Sequence, residues 1–328
     1  MQDSINANES IAQLTEIVNK THNILYKDLV IEKWKKHLNE KNPIWNYLDV
    51  KKSFIKKSGN SAHSIAFIDK RLPSIGFIGF FESTNKVLGH KVIEENCEWL
   101  KGKNIKQIFG PINGSITVDY RFNLSEDYIV PGEPINPRWY IDVFKESNFD
   151  IYNRYVSGIS RHYSVFIKFI NLYRPTMDTK NICLRPIETK NGLDDLKVYH
   201  NLMNAIFPSN SIYCPKISLK ERLYNIRDDL NIFDPKYSFF LEDDGEPIGM
   251  IVAYSYNNDL IIKTLGIIPE YQNKRLSGLL IKKVHDQAQK YGLNNAIYST
   301  IRVGNRIYRM KRPGVKIFRR YVTLSRFL

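Results

Sequence analysis

Apolar residues near the start of the chain recur three and four positions apart: Ile11, Leu14, Ile17 and Val18, then Leu29, Ile31, Trp34 and Leu38, set among Lys and Glu. Such spacing lines one helix face, so 11–40 predicts one or two amphipathic helices. Between His63 and Glu82 the pattern shortens to two β-rich runs, SIAFID and SIGFIGFF. The second is too uniformly apolar for a strand with one wet face and predicts a central strand. Helical spacing returns at Val87, Val92, Ile93, Cys97 and Leu100, with Gly102 near the end. A strand at 105–109 then runs into GPINGS, followed by a short helix over 137–147 and one or two strands within 152–169.

The polar stretch NLYRPTMDTKN (171–181) has no periodicity and marks a boundary. A second series follows, with a strand at 183–187, helices at 193–206 and 219–230, and strands at 237–242 and 247–256. Asp244-Gly245 between the last two favours a tight hairpin. After a strand at 260–267, the loop PEYQNKRLSG opens a helix near Ser277, with Leu280, Val284, Ala288 and Tyr291 at helical spacing and Gly292 as its stop. A strand at 296–301, a short helix from about Asn305 and a strand at 315–327 finish the chain. Both halves run hairpin, apolar strand, helix, strand, short helix, strand. The partition expected is a helical segment 1–60 and two α/β domains, 61–175 and 176–328.

At 328 residues and 43% hydrophobic, the chain is long enough for two cores. Its apolar runs fall far short of the ~20 residues that span a bilayer, so no membrane span is expected. MQDSINANES lacks a basic and apolar leader pattern, which predicts no secretory signal and a cytoplasmic protein. Cys97, Cys183 and Cys214 are scattered, and the seven His show no ligand spacing, so neither a disulfide framework nor a metal is expected. The net charge of +14 favours phosphate-bearing partners, whether a nucleotide cofactor, a tRNA or bulk polyanions.

Candidate chemistry concentrates in TLGIIPEYQNKRLSG (264–278). A buried strand that breaks into a Pro-containing loop and then a helix start presents backbone N–H groups and a helix dipole, the makings of a pyrophosphate site. The plain alternative is a surface turn before an amphipathic helix. These residues resemble the GNAT N-acetyltransferase superfamily, whose strand exit V-x-P-x-x-Q/R leads into Q/R-x-x-G-x-G/A. Ile267-Ile268-Pro269-Glu270-Tyr271-Gln272 is similar to the exit, and Gln272-Asn273-Lys274-Arg275-Leu276-Ser277 to the loop. Arg275 and Ser277 stand where the family has Gly and Gly or Ala. A Cβ at 275 crowds a phosphate, whereas a guanidinium offers it a bidentate partner.

The resemblance extends over roughly 62–328. GEPIGMIVAYSYNN (245–258) looks like the family's central hairpin, and 299–314 like its last strand, Asn-containing turn and short helix. GFIGFFES, FGPINGS and NPRWYIDVFKESNF in the first half are similar to stretches of tandem GNAT-like proteins. It implies an α/β (α+β) protein of two tandem domains, each a central mixed, mostly antiparallel sheet flanked by helices, with a degenerate first half.

It also implies acetyl-CoA or another acyl-CoA as co-substrate and acyl transfer to a small-molecule or peptide amine. Leu265, Gly266 and Ile267 would pair with the pantetheine arm, Gln272 through Ser277 with Gly278 would hold the pyrophosphate, and Asn305 would lie at the cofactor. Tyr308 would be the acid, although counting back four from Gly314, as the family spacing runs, gives Met310. Glu242 is either a base or a solvated hairpin charge. In the first half, Glu82-Ser83-Thr84-Asn85-Lys86 has no Gly and puts a carboxylate where pyrophosphate would approach, so no CoA is expected there. Asn113 and Ser115, at a strand end, are either substrate contacts or a capped turn. The basic stretch 301–328, which lacks Asp and Glu, would grip a phosphate, bind RNA, or form a solvated face. Two alternatives to acyl-CoA-dependent transfer are an aminoacyl-tRNA-dependent transferase of the peptidoglycan-bridge class and a non-catalytic acyl-CoA or RNA binding protein.

Overall fold

A computed structural model describes residues 6–116, 120–125, 130–161, 167–168, 170–171, 174–189, 193–208, 211, 213–226, 232–305, 308 and 314–328. Two compact units result, one of Met1–Arg154, Tyr213–Pro215 and Arg320–Leu328, the other of Tyr155–Ile212 and Lys216–Arg319. The segments that pack together thus depart from the linear partition, because the last strand of the chain serves the first unit.

The first unit opens with α1 (Ala7–Thr21) and α2 (Lys27–Leu38), α1 starting where the Asn6 side chain accepts from the Glu9 N–H. Strands β1 (Leu48–Lys57), β2 (Asn60–Asp69) and β3 (Ile75–Ser83) follow. Ser58 and Gly59, both at positive φ, form the tight turn that registers Lys57 against Asn60. After β3 come α3 (Lys86–Gly102), β4 (Gln107–Gly110), the two-residue β5 (Phe122–Asn123), α4 (Tyr140–Glu146) and the start of β6 (Asp150–Ser160). The strand order is β1-β2-β3-β4-β12, where β12 is Val315–Phe327 and pairs antiparallel to β4 from Leu324↔Gly110 to Phe327↔Gln107. Among the described residues, β3 and β4 are the parallel pair of this sheet. One face carries α3 and α4 over Ala66, Ile78 and Phe81, and the other carries α1 and α2 over Ile65 and Phe80. Strand β1 was not expected from the sequence.

The second unit takes the rest of β6, then β7 (Ile182–Pro186), α5 (Asp194–Ile206), α6 (Leu219–Ile226), β8 (Phe239–Asp243), β9 (Glu246–Tyr256), β10 (Asp259–Ile267), α7 (Ser277–Lys290) and β11 (Asn295–Arg302). Its order is β6-β11-β10-β9-β8-β7, with β10 and β11 the parallel pair. Asp244-Gly245 makes the expected hairpin, and Asn257-Asn258, also at positive φ, joins β9 to β10. Leu280, Val284 and Ala288 of α7 pack on Ile251, Leu260 and Ala296, while Leu202 and Ile206 of α5 cover Phe240 and Met250 on the opposite face. Among the described residues no helix is long and apolar enough to cross a membrane. The expected short helix after Asn305 falls mostly on 306–307 and 309–313, and the end of the helix expected at 219–230 on 227–230; these lie outside the described residues.

The basic C-terminal stretch is not one solvated face. Arg319 is fully buried, and Arg326 ion-pairs with Glu94 at 2.7 Å and donates to the Ser147 carbonyl.

Candidate functional site

In the second unit the β10–β11 ladder ends at Ile262↔Tyr298, although β10 continues to Ile267 and β11 to Arg302. Lys263 is an extra residue in β10 relative to β9, a bulge placed just where the parallel partners part. From there β10 stays paired to β9 through Ile267↔Gly249, so the edge that β11 vacates, over 263–267, borders a slot. Leu265, Gly266 and Ile267, the residues the resemblance assigns to the pantetheine arm, lie on that edge. Gly266 also has a packing reason to be glycine, since a Cβ there would stand 2.9 Å from two carbon atoms of Ile206.

The slot leads to the loop before α7. Gln272 sends its side-chain N–H back to the Ile267 carbonyl at 3.1 Å, and the Lys274 carbonyl accepts from Thr176 N–H. Tyr271 donates to Asp243 at 2.9 Å, a bond that pushes its phenol pKa up, and Lys274 lies 4.2 Å from the Tyr271 ring centroid. Asn273 has φ +72° and Arg275 +61°. Position 275 thus adopts a left-handed backbone, which glycine takes most readily, at a strain cost of about 1–2 kcal/mol. The N-cap residue of α7, Leu276, offers no side-chain cap, and the first turn holds no acid to offset the N-terminal field. Leu276 is buried in the core, which leaves only its backbone for a ligand. Asn305 accepts from the Tyr308 N–H at 2.7 Å, which holds Tyr308 at the turn after β11. Glu242 is not a solvated hairpin charge: it is buried, and Arg185 Nε donates to it at 2.7 Å.

The matching place in the first unit is filled. The β3–β4 ladder ends at Phe77↔Phe109, and β3 bulges opposite Ser64, with Phe80 at φ +48°. Into this gap folds the GPINGS segment, where Ile112 N–H donates to the Ile78 carbonyl at 3.0 Å and Asn113 Oδ1 accepts from Phe80 N–H at 2.6 Å. A Cβ on Gly79 would stand 1.8 Å from the Ile112 carbonyl oxygen, so the loop presses on β3. The substrate contacts expected at Asn113 and Ser115 do not fit this arrangement, because both are buried and Asn113 is occupied by the strand.

The strand-to-helix corner of the first unit is closed as well. Glu82 is 2% exposed and receives Tyr140 Oη at 2.7 Å, Trp34 Nε1 at 3.2 Å and His22 Nε2 at 2.9 Å. Burial and the neighbouring carboxylate push the Tyr140 phenol well above its ordinary range. Asn85 caps α3 through Leu88 N–H. Sequence reasoning put a carboxylate at this corner but missed its partners, His22 just past α1, Trp34 of α2 and Tyr140 of α4.

The profile of the acetyltransferase (GNAT) family matches residues 200–309. Among solved structures the chain is similar to a tandem GNAT protein from the clavulanic acid biosynthesis pathway, at 9% identity and TM-score 0.55 over 98% of this chain and 96% of that one. It is also similar to a GCN5-related N-acetyltransferase from Anabaena variabilis (10% identity, TM-score 0.51, 100% of this chain and 72% of that one). A probable N-acyltransferase from Enterococcus faecalis aligns at 9% identity and TM-score 0.53, over 98% of this chain and 70% of that one. No curated protein matches the sequence. The chain has the fold of tandem GNAT proteins, and the stretch that matches the family profile lies in its second half.

Proposed function

We propose that the protein is an acyl-CoA-dependent acyltransferase, with acetyl-CoA as the donor and an amine on a small molecule or peptide as acceptor. The observation that carries this reading is the parting of β10 and β11 at Ile262↔Tyr298, which opens a slot leading to an uncapped helix with a left-handed residue just before it. The residues fit the donor: a strand edge for an amide-rich arm, helix N–H groups for pyrophosphate, and Lys274 and Arg275 as countercharge.

When bound, acyl-CoA supplies the activated acyl group. The edge at 265–267 holds the arm extended, and a backbone N–H beside the bulge polarises the thioester carbonyl. The amides of 275–278 hold the pyrophosphate. Fixing donor and acceptor together would supply most of the rate; as the amine nitrogen bonds to the acyl carbon and the C–S bond breaks, Tyr308 Oη would give its proton to the departing sulfur and recover the amine's proton by way of solvent. The first unit, with its own slot filled, is assigned no donor.

Thiol release from acetyl-CoA with an amine panel tests the reading. Turnover supports it. Turnover only with a charged tRNA replaces the donor by an aminoacyl-tRNA, and acetyl-CoA binding with no turnover on any amine replaces the enzyme by a binding protein.

A further inference from the structure

The acyl transfer makes no use of a buried histidine on α7. His285 is fully buried, with Nδ1 2.7 Å from the Ile281 carbonyl and Nε2 2.7 Å from Tyr298 Oη, and its ring lies 5.7 Å from that of Tyr298, centroid to centroid. Burial pushes the imidazole down to about 4, so near pH 7 it carries one N–H. A carbonyl only accepts, so that proton sits on Nδ1, and Nε2 accepts from the Tyr298 hydroxyl.

Both residues occupy informative places. Tyr298 is the last residue of β11 still paired with β10, the point from which the slot opens. His285 belongs to the helix whose N-terminus ends that slot. The surrounding contacts between α7 and the sheet are made by Leu280, Val284 and Ala288, and such packing is non-directional. A hydrogen bond fixes distance and angle.

We infer that Tyr298 and His285 are a positioning pair, locking α7 to β11 at the start of the slot and so setting the span between strand edge and helix amides that one acyl-CoA must bridge. The inference rests on the acyl-CoA reading. It assigns to these residues donor affinity, not chemistry.

Tyr298→Phe removes only the hydroxyl. Calorimetry and kinetics well below the unfolding temperature should show Kd and KM for acetyl-CoA rising about 5- to 10-fold, the size of one hydrogen bond, with kcat and the acceptor KM within about twofold. The double variant Tyr298→Phe with His285→Leu removes both members of their shared hydrogen bond, so it should regain stability without regaining donor affinity. It also serves where the single variant fails to fold. Unchanged acetyl-CoA affinity in either folded variant, with only a lowered melting temperature, overturns the pairing role. A wild-type protein that does not bind acetyl-CoA overturns the donor reading itself and this inference with it.

Discussion

The two units each end a parallel ladder early beside a bulged central strand, and they treat the resulting gap in opposite ways. In the first, Ile112 and Asn113 fold into it and satisfy Ile78 and Phe80, while Glu82, tied to His22, Trp34 and Tyr140, closes the corner before a capped helix. In the second, β10 keeps an edge that β11 has left, and the helix beyond has neither side-chain cap nor acid in its first turn. A shared strand plan does not make two sites. A few residues decide whether backbone polar groups are spent within the chain or kept for a ligand.

The sharpest way to break this contrast is through chemistry expected on one side only. Tyr308→Phe should lower kcat by roughly 10²–10⁴-fold while leaving acetyl-CoA affinity nearly intact. An unchanged rate removes Tyr308 from the mechanism. On the closed side, Glu82→Ala strands buried partners and should cost about 3–5 kcal/mol of stability. Urea unfolding measures it, and the folded variant should bind acetyl-CoA like wild type; a parallel loss of affinity would break the contrast.

Each unit also holds a fully buried histidine that burial pushes to about 4, His63 in the first and His285 in the second. Unfolded, each titrates near 6.5, so below that pH the unfolded chain binds the extra proton and stability falls until about pH 4. From pH 7 to pH 5 each should cost about 2 kcal/mol, read by denaturant unfolding at both values. Stability that is equal at the two pH values contradicts the burial argument. The smallest effect concerns Arg275 at φ +61°: Arg275→Gly should relieve about 1 kcal/mol of strain and raise the melting temperature slightly. A fall in melting temperature would show that the side chain holds the loop.

Features carried by a few neighbouring residues were legible in the sequence. Asp244-Gly245 gave its turn, α7 begins at Ser277, and β12 spans Val315–Phe327, the strand expected there. The strand β1 hid because, at the sheet edge, Lys51, Lys52, Lys56 and Lys57 interrupt its apolar pattern and only Leu48 and Ser53 are buried. Where a ladder stops is a matter of tertiary register, so neither the slot after Ile262 nor the filling of the other by Asn113 was visible. Nor does a basic stretch disclose that Arg319 is buried or that residues 324–327 pair with β4. His285 did leave a trace, lying with Ile281, Val284 and Ala288 on the buried face of α7.

The central claim, one open slot and one filled, is tested most directly by calorimetric titration of acetyl-CoA into the wild-type chain and into Ser277→Glu, which puts an anion at the helix start. The account predicts one site per chain in the wild type, weakened in the variant by about 2–4 kcal/mol, roughly 30- to 1,000-fold. Two sites per chain, or one site that Ser277→Glu leaves untouched, would contradict it.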